Sequence, residues 1–370
     1  MLKDYSSLVA IGQAGGNIVY GIENITNISS YYINSSVDDL DLINVDYDKK
    51  YAIENVKGMA KDVNYAMEII TSNDNDEKIA EQIYKNNPNA HIYFFVFATA
   101  GGTSGGMSTY IAEKFKEFYP DKIVNAIIII PHSEEDPLMQ INAINCLERI
   151  KKLMNEGIIT NLQIIDNNSL EYGKKLEIND IFLDNFIKIL NFNKIHNEGN
   201  LDEEEMERIF TTSGVSIINK LDDEDILNSL NNIEYNSVYS KFNKNPKVHG
   251  LILTNNHNNS INRKMIKEVF GIPLVTHDIV WDNNYSIVIS SGMSFNEEVI
   301  LDLKRNYNSI LEIKNKVESE SKDIIENINI DDSILHSLYS NKQESKRPIS
   351  RKRRTEEVGI SSEQRFRKKR

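Results

Sequence analysis

Residues 95–115 read FVFATAGGTSGGMSTYIAEKF. An apolar, aromatic run gives way to small residues and four glycines, and the chain then takes on helical spacing. Glycine loses the most backbone freedom on folding, so a cluster at such a junction marks positive φ or a close approach to the backbone. A ligand against the loop and a helix packed tightly on a strand both satisfy that demand, and the residues alone leave both open. A second junction of the same kind lies near the N-terminus, where SSLVAIG (6–12) runs into GQAGGN (12–17).

Strand and helix signals alternate outward from these two points. HIYFFVFAT (91–99) and KIVNAIIIIP (122–131) are apolar at nearly every position and rich in β-branched or aromatic residues, as strands covered on both faces of a parallel sheet are. SSLVAIG predicts a first strand, IVYGIENI (18–25) a helix and LDLINVD (40–46) a second strand. Further helices are predicted at 64–71, 109–118 and 138–154. The fold class is therefore α/β, a doubly wound domain with its glycine loops at the carboxyl ends of strands, where ligands bind in such sheets.

A long helix is predicted at 176–193, followed by the acidic stretch NEGNLDEEEMERIF (197–210) and the strand GVSIINK (214–220). VHGLILTN (248–255) and YSIVISSGM (285–293) flank a helix at 263–270 and imply a smaller mixed sheet. A charged helix follows from 297 to about 325. These signals divide the chain into a nucleotide-binding domain (1–175), a central helix (176–196), a C-terminal mixed-sheet domain (197–298), a helical region (299–340) and a tail (341–370). No internal repeat is present.

Composition, at 40% hydrophobic and 26% charged, is that of a globular protein. The net charge is −13, but from 341 onward twelve Lys and Arg face four Glu, so a +8 tail follows a −21 body. The tail has few apolar positions and no period, and reads as disordered in isolation. Such asymmetry points to a partner of opposite sign, nucleic acid or an acidic protein. The one cysteine, Cys146, suits a reducing compartment and a buried role. With no leader-like or membrane-spanning run, the expectation is a soluble, cytoplasmic protein without direct membrane contact. The seven His show no metal-ligand spacing.

Spacing discriminates among phosphate loops. GxxxxGK[ST] fails because neither glycine loop supplies the Lys, and GxGxxG fails because Ala14 and Asn17 stand where glycines are needed. What remains is a site between two glycine turns on different strands, with phosphates held by backbone N–H groups and by the N-terminus of a helix beginning after Ser108.

Here the chain resembles the tubulin/FtsZ GTPases. Gly12-Gln13-Ala14-Gly15-Gly16-Asn17 matches that family's opening turn. Ala100-Gly101-Gly102-Thr103-Ser104-Gly105-Gly106 follows its [SAG]GGTG[SA]G signature except at Ser104 and Gly105. IIDNNSL (164–170) is similar to the stretch carrying a nucleotide-contacting Asn, with Asn167 the best match and Asn168 its rival. EINDIFL (177–183) places Asn179 where the family reads guanine, and Glu134 joins the nucleotide set in the loop after AIIIIP. VKGMAKD (56–62), with Gly58 and Ala60, stands where the family has its γ-phosphate loop.

NLDEEEMERIFTTSG (200–214) aligns with the segment that acts on a neighbouring subunit's nucleotide, putting Asn200, Asp202 and Glu205 on its polar positions and Gly214 on its glycine. Those acids have a second reading, with Asp202 as N-cap and Glu205 as its capping-box partner.

The resemblance implies GTP and GDP as ligands, Mg²⁺ as cofactor, self-assembly into filaments and hydrolysis on subunit contact. A long charged helix with a basic tail is most similar to the TubZ branch, which partitions plasmid or phage DNA through a DNA-bound adaptor of the TubR type in the bacterial host cytoplasm. The rivals are a phage DNA-positioning or cell-division homologue, and a non-polymerising nucleotide sensor whose tail binds DNA.

Overall fold

The structure, a computed structural model, describes residues 1–327 apart from 54–55, 57, 73, 193–196, 200–201, 222–223, 255–260, 262 and 282–284. Asn200 and the basic tail, both singled out above, lie outside the described residues.

In chain order the elements are β1 (Ser6–Ile11), α1 (Gly12–Thr26), β2 (Ser29–Asn34), α2 (Val37–Asp41), β3 (Lys50–Ala52), α3 (Val63–Thr71), α4 (Asn75–Asn86), β4 (Ile92–Ala98), α5 (Gly102–Phe118), β5 (Ile123–Ile130), α6 (Pro137–Asn155) and β6 (Asn161–Asp166). After these come α7 (Lys175–Leu190), β7 (Asn197–Gly199), α8 (Glu203–Thr211), β8 (Gly214–Leu221), α9 (Ile226–Asn231), β9 (Val248–Thr254), α10 (Arg263–Phe270), β10 (Val275–Trp281), β11 (Ser286–Met293) and α11 (Glu298–Asn327).

One sheet runs through all the strands in the order β3-β2-β1-β4-β5-β6-β8-β11-β9-β10-β7. The first six are parallel, with β1 paired residue for residue between β2 and β4. Covered by helices on both faces, β1 is buried at all six positions, and Phe94, Phe95 and Val96 of β4 are fully inaccessible. The mixed half, where β11 is antiparallel to both β8 and β9, joins through a two-residue parallel seam, Asn161 with Gly214 and Leu162 with Val215. Buried Asn161 ties that seam together, donating to Thr212 O (3.1 Å) and Ser291 Oγ (2.9 Å) and accepting from Ser216 Oγ (2.5 Å). So short a pairing relies on such side-chain bonds to stay in register.

Two expectations are corrected. LDLINVD does not form the second strand, which is SSYYIN at 29–34. Ser36 caps a short helix instead, its hydroxyl accepting from Asp39 N, and Asp38 and Asp39 sit favourably in the first turn. The helix after the second glycine loop starts at Gly102, not after Ser108. Tertiary packing overrides the low helix propensity of its glycines, as the close contacts below show. Among the described residues no helix is long and apolar enough to cross a membrane.

Candidate functional site

Because β1, β2 and β4 are parallel, the loops leaving their carboxyl ends gather on one edge of the sheet. They enclose a cavity of about 310 Å³ lined by Gly12, Gln13, Asn34, Ser35, Ser36, Asp39, Gly58, Met59, Ala60, Lys61 and Gly101 to Ser104. Gly12, at φ +74°, turns the chain from strand directly into α1. Both α1 and α5 begin here without a side-chain cap, as α4, α6 and α7 do elsewhere, whereas Ser36, Asp62, Asp202 and Asp225 cap α2, α3, α8 and α9. The first N–H groups of a helix have no partner within it, and the helix dipole adds positive potential there. Two uncapped helix starts around one cavity make a site for a polyanion such as a phosphate chain.

The glycines divide by role. A Cβ on Gly15 would lie 2.1 Å from Val96 O, one on Gly105 2.4 Å from Thr99 O, and one on Gly106 2.6 Å from the Ala66 Cβ. Those three let helices press onto the sheet and onto α3, so here the tight-packing reading holds. Gly101 and Gly102 instead line the cavity, and a Cβ on Gly102 would meet Lys61 N and the Met59 Cβ, each at 2.8 Å. The loop at 58–62 is thus laid directly over the start of α5. Asn142 of α6 anchors it, donating to Lys61 O at 3.0 Å, while Lys61 Nζ reaches Asp136 at 3.1 Å. Ser35 and Thr103 face each other at 2.6 Å between their hydroxyl oxygens.

Of the residues expected from sequence, Gly12, Gln13, Gly58, Ala60, Gly101, Gly102, Thr103 and Ser104 line this cavity, and Ala14, Gly15, Asn17, Ala100, Gly105, Gly106, Glu134, Asn167 and Asn179 do not. Asn34, Ser35, Ser36, Asp39 and Lys61 were missed. The misplaced second strand hid the first four, although SSYYIN followed by SS carries the strand-then-polar-turn signal that would have found them.

The neighbouring loops complete the edge. Asn168 is occupied structurally, donating to Pro131 O (3.1 Å) and to Asp166 Oδ1 (2.7 Å) and accepting from Ser133 N (2.7 Å). Asn167 keeps a buried Oδ1 without a hydrogen-bond partner. Burial pushes the Asp166 carboxyl up from its ordinary value, against the hydrogen bonds from Asn168. Glu134 is exposed on the loop after β5.

Asn179 is half-buried near the start of α7, and that start lies at the same edge. Leu183 of α7 packs on Gly21 of α1, and Lys3 joins the far ends of the two helices by donating to Thr26 O and Asn191 Oδ1, both at 3.2 Å. The two helices therefore run in parallel, and one turn back from Leu183 brings Asn179 towards the beginning of α1.

A larger cavity of about 440 Å³ opens beside the ends of β5 and β6 and the first turns of α11. Asp166, Glu234 and Asp302 line it together with Lys241 and Arg305, and no glycine turn faces it, so three carboxylates make it the poorer place for an anion and the smaller glycine-lined cavity the candidate.

The acids of 202–205 lie at the opposite edge. Glu203 pairs with the N-terminal ammonium at 3.0 Å, Glu207 with His91 just before β4 at 3.4 Å, and Phe210 O accepts from Asn125 near the start of β5 at 2.9 Å. The capping box is real: Glu205 N donates to Asp202 Oδ1 (2.9 Å) and Asp202 N to Glu205 Oε2 (2.7 Å). At ~3.3 Å per residue, a strand of six or seven residues separates these carboxylates from their own chain's cavity by about 20 Å.

Residues 7–171 match the family model for the Tubulin/FtsZ family, GTPase domain. Along most of its length the chain is similar to the tubulin-like protein TubZ of Clostridium botulinum C phage, 28% identical over 349 residues that cover 92% of this chain and 94% of that one. The crystal structure of Clostridium botulinum phage c-st TubZ superposes with a TM-score of 0.75 at 25% identity, over 84% of this chain and 99% of that one. GDP-form protofilaments of Bacillus thuringiensis serovar israelensis TubZ share the fold, with a TM-score of 0.74 at 15% identity over 88% of this chain and 93% of that one. Residues 7–171 therefore match a tubulin/FtsZ-family GTPase domain, and the chain shares its fold with TubZ.

Proposed function

We propose that this protein binds GTP at the glycine-lined edge and hydrolyses it to GDP and phosphate within a filament of its own subunits, in the bacterial host cytoplasm. The observation that carries the reading is the separation of parts: an anion site of two uncapped helix starts on one edge of the sheet, and the Asp202–Glu205 carboxylates on the other. A head-to-tail contact brings one subunit's acids to its neighbour's γ-phosphate, so turnover waits for assembly. In this reading the amides of Gly12, Gly101, Gly102 and Thr103 hold the phosphates, Asn167 contacts the nucleotide near its ribose, and Asn179 reads guanine.

Asp39, Ser35 and Thr103 supply the hard oxygen donors that suit Mg²⁺ beside a phosphate chain, and the ion would offset charge on the phosphates. In this reading Glu205, with its side chain 24% exposed, orients the attacking water in line with the departing GDP, a task of positioning and electrostatics. The basic tail links the filament to DNA through a bound adaptor of the TubR type, its +8 charge being the supporting feature.

The deciding experiment is Glu205→Gln. The amide keeps an oxygen for the capping box but loses the charge, so nucleotide affinity and filament formation are retained while turnover at saturating protein falls about 100-fold or more. Wild-type turnover in that variant refutes the assignment.

A further inference from the structure

Glu205 has a second neighbour that the capping box does not explain. Oε2 accepts from Asp202 N, while Oε1 lies 3.0 Å from Nδ1 of His277. His277 sits in β10 with only 6% of its surface exposed, at a position where strand alternation calls for an apolar side chain, as Ile279 two residues on provides. Neither ring nitrogen has a hydrogen bond of good geometry, so the Glu205 contact is close in distance but off line. Burying an imidazole without partners costs stability, so its place beside Glu205 calls for an explanation.

The surroundings fix the pair. His277 stands directly across from Gly250 of β9, and the side of Gly250 that a Cβ would occupy faces Ile209 of α8 at 3.1 Å. Glu205 and Ile209 are one helical turn apart, on one face of α8. That face therefore rests on the β9–β10 pair, with Glu205 over His277 and Ile209 over Gly250. The imidazole is held by the sheet and cannot follow the carboxylate.

We propose that His277 is a positioning residue for the Glu205 carboxylate, fixing its second oxygen so that the acid is oriented before a neighbouring subunit arrives. The inference rests on the reading that Glu205 serves the neighbour's nucleotide. With Oε2 tied to the helix start and Oε1 against a fixed ring, the carboxylate has little rotational freedom left, and preorganisation of that kind is what in-line attack needs.

The test compares full-length His277→Asn, His277→Gln and His277→Leu by GTP turnover at saturating protein, with pelleted filament and GTP affinity measured alongside. Asn carries an amide nitrogen close to the place of Nδ1, and Gln close to that of Nε2. Turnover is expected to fall about 10- to 100-fold in the Leu variant, to recover mostly in Asn and to recover less in Gln. GTP affinity stays at the wild-type value, since the cavity lies at the far edge, and filament yield stays there too, since the buried ring offers a neighbouring subunit almost no surface. In a Glu205→Gln background the Leu change has no further effect. If the Leu variant does not fold, Asn against Gln decides. Equal turnover in those two, or wild-type turnover in Leu, overturns the proposal. Wild-type turnover in Glu205→Gln overturns the parent reading instead, and an inactive Glu205→Gln beside indifferent His277 variants removes only this inference.

Discussion

Gly15→Ala and Gly101→Ala add the same methyl group to the two glycine turns and are expected to fail in different ways. At Gly15 the new Cβ lies 2.1 Å from Val96 O, and an ordinary contact begins at 3.4 Å, so α1 and the β4 backbone must part by about 1.3 Å. Neither side yields easily, because both are backbone inside a fully buried layer. Overpacking of this kind costs roughly 1–3 kcal/mol or more, against the roughly 1 kcal/mol that Ala gains over Gly in a helix. Taking the upper part of that range, the net loss is about 2 kcal/mol, or about 3 °C in melting temperature for a unit of this size. At Gly101 the methyl meets only Ser104 Oγ, at 2.4 Å, and the next atom is 3.8 Å away. A hydroxyl can rotate, so stability changes by less than about 0.5 kcal/mol. Gly101 and Ser104 both line the cavity, however, and nucleotide affinity falls. Thermal melting without nucleotide, paired with titration of a fluorescent GTP analogue, separates the two outcomes. A Gly15→Ala protein as stable as wild type refutes the packing role, and a Gly101→Ala protein that loses stability but not affinity refutes the division of labour between the glycines.

Burial holds the His249 imidazole down at about 3, with Nδ1 against Ser290 Oγ at 2.8 Å. A depressed folded-state value means that the contribution is intact above the ordinary value of 6.5 and is lost as pH falls toward 3, amounting to about 2 kcal/mol between pH 6.5 and 5. His249→Asn is expected to flatten the fall of melting temperature over that window by one proton's worth, and an unchanged slope refutes neutral burial. A chain ending at Ser340 is expected to bind and hydrolyse GTP and to polymerise while losing its hold on an adaptor-loaded DNA site. Retention of the shortened chain in a pull-down with that complex counts against the role of the tail, and salt-sensitive capture of the full chain by DNA alone points to direct binding.

Legibility in the sequence followed the source of each constraint. Strands covered on both faces declare themselves, and HIYFFVFAT and KIVNAIIIIP became β4 and β5 within a residue of their expected ends. The helix at 263–270 was placed to the residue, since α10 is short and strongly two-sided, with Ile266 and Phe270 buried. LDLINVD misled because its apolar positions serve another purpose: Ile43 packs its Cδ1 2.9 Å from where Gly16 would carry a Cβ, so the run pins a short helix and turn onto α1. β10 was not expected, because His277 interrupts its apolar alternation. The loop at 56–62 was legible from its resemblance, but Lys61 within it was not, because its place depends on Asn142, more than eighty positions away, and no local pattern reports a contact of that span.

The two readings of Asp202 and Glu205, cap and catalytic acid, are compatible. The capping box is present, with both reciprocal bonds made, yet it leaves Glu205 Oε1 free to face His277 and solvent. A cap is one of the few local devices that hold a carboxylate in one orientation at a surface without burying it. An acid meant to act on another molecule needs that combination, because a flexible Glu pays rotamer entropy at the moment of contact and a buried one cannot reach. In the proposed mechanism the capping role is thus the means of the functional one. Removing the cap with Asp202→Ala should therefore lower turnover through loss of orientation even if Asp202 never touches nucleotide, so that substitution alone cannot count the acids that act directly, and Glu205→Gln, which keeps an acceptor for the cap, can.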